Sequence, residues 1–176
     1  MAITQPEVWL RGPVPGVPAF LQPVAHGLLQ CREEVTAHLA ALGPEQIWAQ
    51  PGGAASIGFH VRHAAGSLDR LFTYARGEQL SPVQKAALSA ETMPDLAPDA
   101  AAKLVVHFHE TVDRALDQLR TTKEASLLDS RGVGRAQLPS SVLGLLFHAA
   151  EHTQRHAGQL ATTLKVVVAG GAGGDR

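Results

Sequence analysis

Four long segments of this chain repeat their apolar residues at helical spacing, and prolines and glycines mark where each must stop. Pro6, Pro13, Pro15 and Pro18 each restrict their predecessor and remove a backbone donor. Residues 1–18 are therefore expected to form a Pro-rich arm, with Trp9 and Leu10 packing onto the body. A first helix is predicted from about Ala19 to Leu42, with Pro23 in its first turn and Gly43-Pro44 ending it. A second starts at Ser56, as cap or first-turn residue, and runs to about Arg76 before Gly77. The third spans Asp99 to Thr121, with the acid near the positive end of the helix dipole. The fourth begins at Ser140 or Ser141 and reaches about Val167, leaving 169–176 as a flexible tail.

The connectors differ in kind. "GEQLSPVQKAALSAETMPDLAPDA" reads as a link with a short helical piece. "EASLLDSRGVGRAQLP" has no helical period and is expected to be a long loop or small hairpin before the last helix. With no other convincing strand pattern, the expected fold is all-α, a four-helix bundle occupying residues 1–168 as a single domain. The links after the second and third helices are too long for tight turns alone, which predicts at least one crossover.

Composition excludes several roles. Aromatic residues are 5% of the chain against 45% hydrophobic overall, so the core must be built mainly from Leu, Val and Ala. The net charge of -1, without a basic stripe, argues against nucleic acid. No apolar stretch reaches the roughly 18 residues of a membrane span, and the N-terminus lacks the pattern of a signal peptide. A cytoplasmic protein is expected. Cys31 is the only cysteine, which excludes an intrachain disulfide and thiolate clusters; a buried small hydrophobe is its expected role.

The nine histidines carry the chemistry. His26 and His38 lie on the first helix, His60 and His63 on the second, His107 and His109 on the third, and His148, His152 and His156 on the fourth. On the fourth, Val142, Leu145, Leu146, Ala149, Thr153, Ala157, Leu160 and Leu164 define the buried face. At about 100° per residue, His156 lies roughly 70° from its centre, His152 roughly 110° and His148 roughly 150°. His148 is therefore expected at the surface, beside Glu151 and Arg155. His152 and His156, at i and i+4, can converge on one tetrahedral metal, although the same spacing also suits two polar residues on a helix edge. A metal needs a third ligand, and periodicity on the second helix leaves both His60 and His63 open, with His60 nearer the apolar face.

Two motifs then resemble the DinB/YfiT-like family of metal-dependent enzymes. One is "SIGFHVRHAAGSLDRL", where Ser56 precedes His63 by seven positions. The other is "HTQRHAGQL", with His152 and His156 followed by Gly158 and Gln159. The order and helix layout agree over roughly residues 17 to 167; the arm and the long loop resemble features of a sub-branch. The resemblance implies a four-helix bundle, often a homodimer, that binds a divalent metal through His63, His152 and His156. Zinc or nickel is the expected ion, with iron or manganese as alternatives. Three neutral ligands leave an open position, the catalytic rather than the structural arrangement. Family activities include thiol-dependent transferases and isomerases using a low-molecular-weight thiol, and hydrolase-like reactions, on small-molecule substrates. A non-catalytic bundle with a structural or ligand-binding histidine site is the alternative.

Supporting roles follow from position. His60 and His26 are expected behind the ligands or as alternative ones. Gly158 is expected to permit close helix approach, and Gln159 to hydrogen-bond a ligand's outer nitrogen. No catalytic residue is assigned; Glu151 is the weak candidate for a base, although rotation turns it away from the core. Asp69 and Arg70 are expected to be surface charges.

Overall fold

A computed structural model describes the backbone of residues 5–172 and the side chains of residues 5–170. A 3-10 turn at Ala19–Leu21 leads into α1 (Gln22–Leu39), with Pro23 in the first turn, where its missing N–H costs nothing. Gly43-Pro44 does end the first helix, but Gly43 then caps a five-residue helix, α2 (Pro44–Trp48). Next come α3 (Ile57–Ala75), α4 (Pro82–Ser89) and α5 (Ala100–Thr121). An antiparallel hairpin of β1 (Ser130–Val133) and β2 (Leu138–Ser141), with Arg131 opposite Ser140, precedes α6 (Val142–Ala172). The hairpin expected before the last helix is thus present. The last helix runs beyond the predicted Val167 and takes in residues 169–172 of the expected tail; residues 173–176 lie outside the described residues.

Local chemistry explains the boundaries. The Ser56 hydroxyl accepts from the Phe59 N–H at 3.1 Å, which caps α3. At the other end Gly77 takes φ +79°, and its N–H and that of Glu78 donate to the carbonyls of Tyr74 and Thr73. That pair of bonds is a Schellman closure, and the left-handed glycine makes it possible. The Ser141 hydroxyl accepts from the Gly144 N–H and starts α6.

The long helices form a four-sided bundle whose directions follow from side-chain pairs. Arg32 meets Asp113 and Thr36 meets His109, so α1 and α5 are antiparallel. Arg76 reaches Gln118, and Gly66 shares a groove with His107, so α5 runs parallel to α3. His60 meets His156 and His63 meets His152, so α3 and α6 are antiparallel. It follows that α1 and α6 are parallel, with Gly27 against Gln154. Parallel α3 and α5 require the chain to cross the length of the bundle between them, which is the expected crossover.

The core is mainly aliphatic, as composition demanded, with Phe72, Phe108 and Trp48 among it. Leu28, Ile47, Leu68, Val112, Leu119, Leu146 and Leu160 are among its fully buried side chains, each worth about 1.5–3 kcal/mol on burial. The predicted face of α6 is the buried one; Thr153 joins it by donating to the Ala149 carbonyl at 2.7 Å. The arm departs from expectation. Trp9 and Leu10 are 61% and 57% exposed, whereas Val8 and Val17 are buried. The Val8 N–H donates to Gln30 and the Val14 N–H to Gln22, so α1 holds the arm by its backbone and turns Trp9 outward.

Candidate metal centre

Two helices build the centre. His63 stands in the second turn of α3, and His152 and His156 stand one turn apart in the middle of α6. Because α3 and α6 are antiparallel and packed together, the three rings meet. The ring centroids are 5.2 Å apart for His63–His152, 4.5 Å for His63–His156 and 4.6 Å for His152–His156. One ring nitrogen from each lies within 4.8 Å of the others, and all three rings are half-buried. Phe59 stacks on His63 at 5.3 Å and forms an apolar wall beside it.

Glu91 lies behind the cluster. Its carboxylate accepts from His63 Nδ1 at 2.7 Å and from Arg70 at 2.7 Å, and the residue is 5% exposed. With the hydrogen on Nδ1, the neutral His63 ring keeps its lone pair on Nε2. That atom lies 3.0 Å from His152 Nε2. Two imidazole nitrogens so close need either a hydrogen between them or a shared cation. For zinc–nitrogen bonds at tetrahedral angles the separation is roughly 3.3 Å, close to that found. In either arrangement the buried His152 Nδ1 has no partner among the described residues. The donor set fits a divalent ion that accepts imidazole.

Electrostatics favour the neutral form of the His152 and His156 rings, the form that binds metal. Burial, then the neighbouring imidazoles of His63, His152 and His60, push His156 down to about 4. His152 is lowered by burial and by His63, and His60 by the same two causes. For Glu91, burial alone would raise the pKa, but the hydrogen bonds from His63 and Arg70 outweigh it and lower it.

A family model described as the DinB superfamily matches residues 28–160, well over half the chain and all three histidines. The chain belongs to the DinB superfamily. The crystal structure of a conserved protein from Enterococcus faecalis is similar with a TM-score of 0.65 at 20% identity, over 85% of this chain and 97% of that one. This likeness concerns the fold. No curated protein matches the sequence.

Within this DinB-superfamily bundle the other candidates fall into distinct places. His60 is 6% exposed and sets its Nδ1 3.0 Å from His156 Nδ1, behind that ring rather than in the cluster. His26 is not brought to the centre; its Nε2 meets the Gly12 carbonyl at 3.0 Å and ties down the arm. Gln159 is exposed and makes no hydrogen bond to a ligand ring; His63 and His156 meet Glu91 and His60 instead. Gly158 permits no close helix approach: a Cβ there would meet nothing within 4 Å. Both residues line an open groove of about 530 Å³ with His60, Arg155, Thr162 and Thr163. His148 is exposed, as rotation predicted, and lies 3.3 Å from Glu151. Glu151 is held by Arg155, whose hydrogen bond lowers its pKa, so it is a poor proton acceptor.

Asp69 and Arg70 are corrections. Arg70 is largely buried against Glu91, and the Asp69 carboxylate accepts from Gln84 of α4 at 2.7 Å. Sequence reasoning missed Glu91 altogether. It lies just past α4 in the connector read only as a link with a short helical piece, and only the crossover brings it over α3.

Proposed function

We propose that the chain is a metal-dependent enzyme in which His63, His152 and His156 hold a divalent cation, zinc or nickel, and leave a position open to a small-molecule substrate. Iron and manganese are the alternatives, because imidazole accepts several of these ions and the ligand set alone does not select. The observation that carries the reading is the meeting of three ring nitrogens within 4.8 Å from two helices. Membership of the DinB superfamily and the resemblance of both histidine motifs support it. A cation there supplies a Lewis acid that polarises an oxygen or sulfur of the substrate.

The chain's own residues then bind and orient. Glu91 holds His63 in one tautomer, His60 braces His156, and Phe59 keeps water off one face of the centre. The groove beside His60, with the amide of Gln159 and the hydroxyl of Thr162 at its wall, is the proposed seat of the substrate's polar tail. The reaction class is thiol-dependent transfer or isomerisation with a low-molecular-weight thiol, or hydrolysis, and the assembly a homodimer. One observation favours a non-catalytic site: Glu91 and Glu151, the carboxylates at the cluster, are both engaged by arginines.

Metal analysis of the purified protein beside the His152→Ala/His156→Ala variant tests the reading. Wild type should retain or rebind about one ion per chain, and the variant should lose it. Absence of metal from both would end the metal reading. Stoichiometric metal, no turnover of a panel of thiols, electrophiles and esters, and unfolding on chelation would instead favour the structural site.

A further inference from the structure

α4 buries none of its residues, so apolar packing does not explain why the connector lies where it does. Side chains of α3 hold it instead, and they hold the stretch just after α4. Arg62 donates to the carbonyls of Ala90 and Met93, while His63 and Arg70 both donate to the Glu91 carboxylate. His63, Gly66 and Arg70 fall at i, i+3 and i+7 on α3 and so share a face. Gly66 is the floor of this cradle. A Cβ at Gly66 would lie 2.6 Å from Glu91 Oε1 and 2.7 Å from an Arg70 nitrogen, closer than such atoms approach. The carboxylate can sit between its two donors only because that Cβ is missing.

A buried carboxylate is a costly way to fasten a connector, since an apolar side chain would do so with no charge to desolvate. What the carboxylate adds is control of an imidazole. We propose that Glu91 is a positioning residue of the metal centre, which keeps the His63 hydrogen on Nδ1 and directs the Nε2 lone pair towards His152, within a cradle made by Gly66 and Arg70. This inference rests on the metal-binding reading for its purpose, but the state of the His63 ring can be measured without any metal. An acceptor at the back of a ligand imidazole fixes its orientation and raises its basicity. The crossover segment thereby becomes part of the centre.

Three full-length variants test this: Glu91→Ala, Glu91→Gln and Gly66→Ala. Gly66→Ala keeps the carboxylate in the sequence and displaces it in space. The clashing atoms are the far ends of two flexible side chains, so the fold should tolerate it. Zinc and nickel dissociation constants, read by competition with a chromophoric chelator, should weaken by about 10- to 100-fold for Glu91→Ala and Gly66→Ala. Glu91→Gln should weaken less, because its carbonyl oxygen can still accept from His63, while the amide nitrogen that replaces the other oxygen cannot accept from Arg70. In the metal-free protein, side-chain nitrogen NMR should show wild-type His63 with its hydrogen on Nδ1. Glu91→Ala and Gly66→Ala should shift it towards Nε2, the form favoured by a free imidazole. Variants with wild-type dissociation constants and an unchanged His63 tautomer, altered only in melting temperature, would overturn the proposal. So would a wild-type His63 with its hydrogen on Nε2. If the wild type takes up neither of these metals, nor iron or manganese, the proposed function fails, and the tautomer alone decides whether Glu91 positions His63. If Glu91→Ala does not fold, the other two variants carry the same comparison.

Discussion

His156 is the histidine on which the surroundings act most strongly. Burial and three neighbouring imidazoles hold it at about 4, against an ordinary value of 6.5. The unfolded chain therefore takes up this proton first as pH falls. Stability from the neutral ring is fully present above about 6.5 and is lost progressively as pH falls through about 4. The lowered pKa values of His60 and His152 act in the same direction. For protein stripped of metal, the denaturant midpoint should drop between about pH 7 and about pH 5, and His156→Gln should flatten that slope. An unchanged slope in the variant would place the titration elsewhere. At the same scale, the pairing of His152 with His156 was legible as a spacing of four on a helix edge. The choice between His60 and His63 was not, because helical periodicity reports distance from the core and says nothing about which ring faces a neighbouring helix.

α3 shows how one helix organises several contacts. Ser56 caps it, His60 and His63 face α6, and Gly66 and Arg70 receive Glu91. Gly58 has a separate task. A Cβ there would lie 2.7 Å from the Trp48 ring, which stacks under Arg62 at 4.5 Å and donates its indole N–H to the Asp95 carbonyl at 2.8 Å. Unlike the groups at Gly66, a buried indole held on two sides cannot yield cheaply. Gly58→Ala should therefore destabilise the protein by about 1–3 kcal/mol through overpacking, while Gly66→Ala costs less. Chemical denaturation of the two variants side by side checks the order. On α6 every residue predicted for the buried face up to Leu160 is buried, and Ala150, which was not predicted, joins them. Gly158 was not legible: a glycine in a helix can mark close packing or an open groove, and only the neighbours distinguish them.

For the whole molecule, α1, α3, α5 and α6 enclose one hydrophobic cluster, and Cys31 lies inside it with 1% exposure. Burial, then Glu34, pushes its thiol up to about 12. Cys31 should resist a disulfide-exchange reagent under native conditions and react in step with global unfolding, since the thiolate is the reactive form. Fast labelling of the native protein would mean that the core opens locally near α1. Leu146→Ala, at a fully buried position in the same cluster, should cost about 2–5 kcal/mol and speed that labelling. Among the described residues no helix is long and apolar enough to cross a membrane, which agrees with the sequence expectation.

Apolar spacing, helix stops and the two histidine motifs were enough to determine an all-α bundle, the rough extent of its long helices, the hairpin before the last one and the face of α6 that would be buried. These are local properties: a helix's buried stripe and its caps are encoded within a few turns of chain. The tertiary structure alone decided what meets across helices. It set α3 against α6 so that His63 joins His152 and His156, turned His26 to the arm, opened a groove at Gly158 and Gln159, and carried Glu91 onto Gly66. The sequence separation between Glu91 and His63 is bridged by a crossover whose path depends on parallel α3 and α5, and no local periodicity encodes that direction.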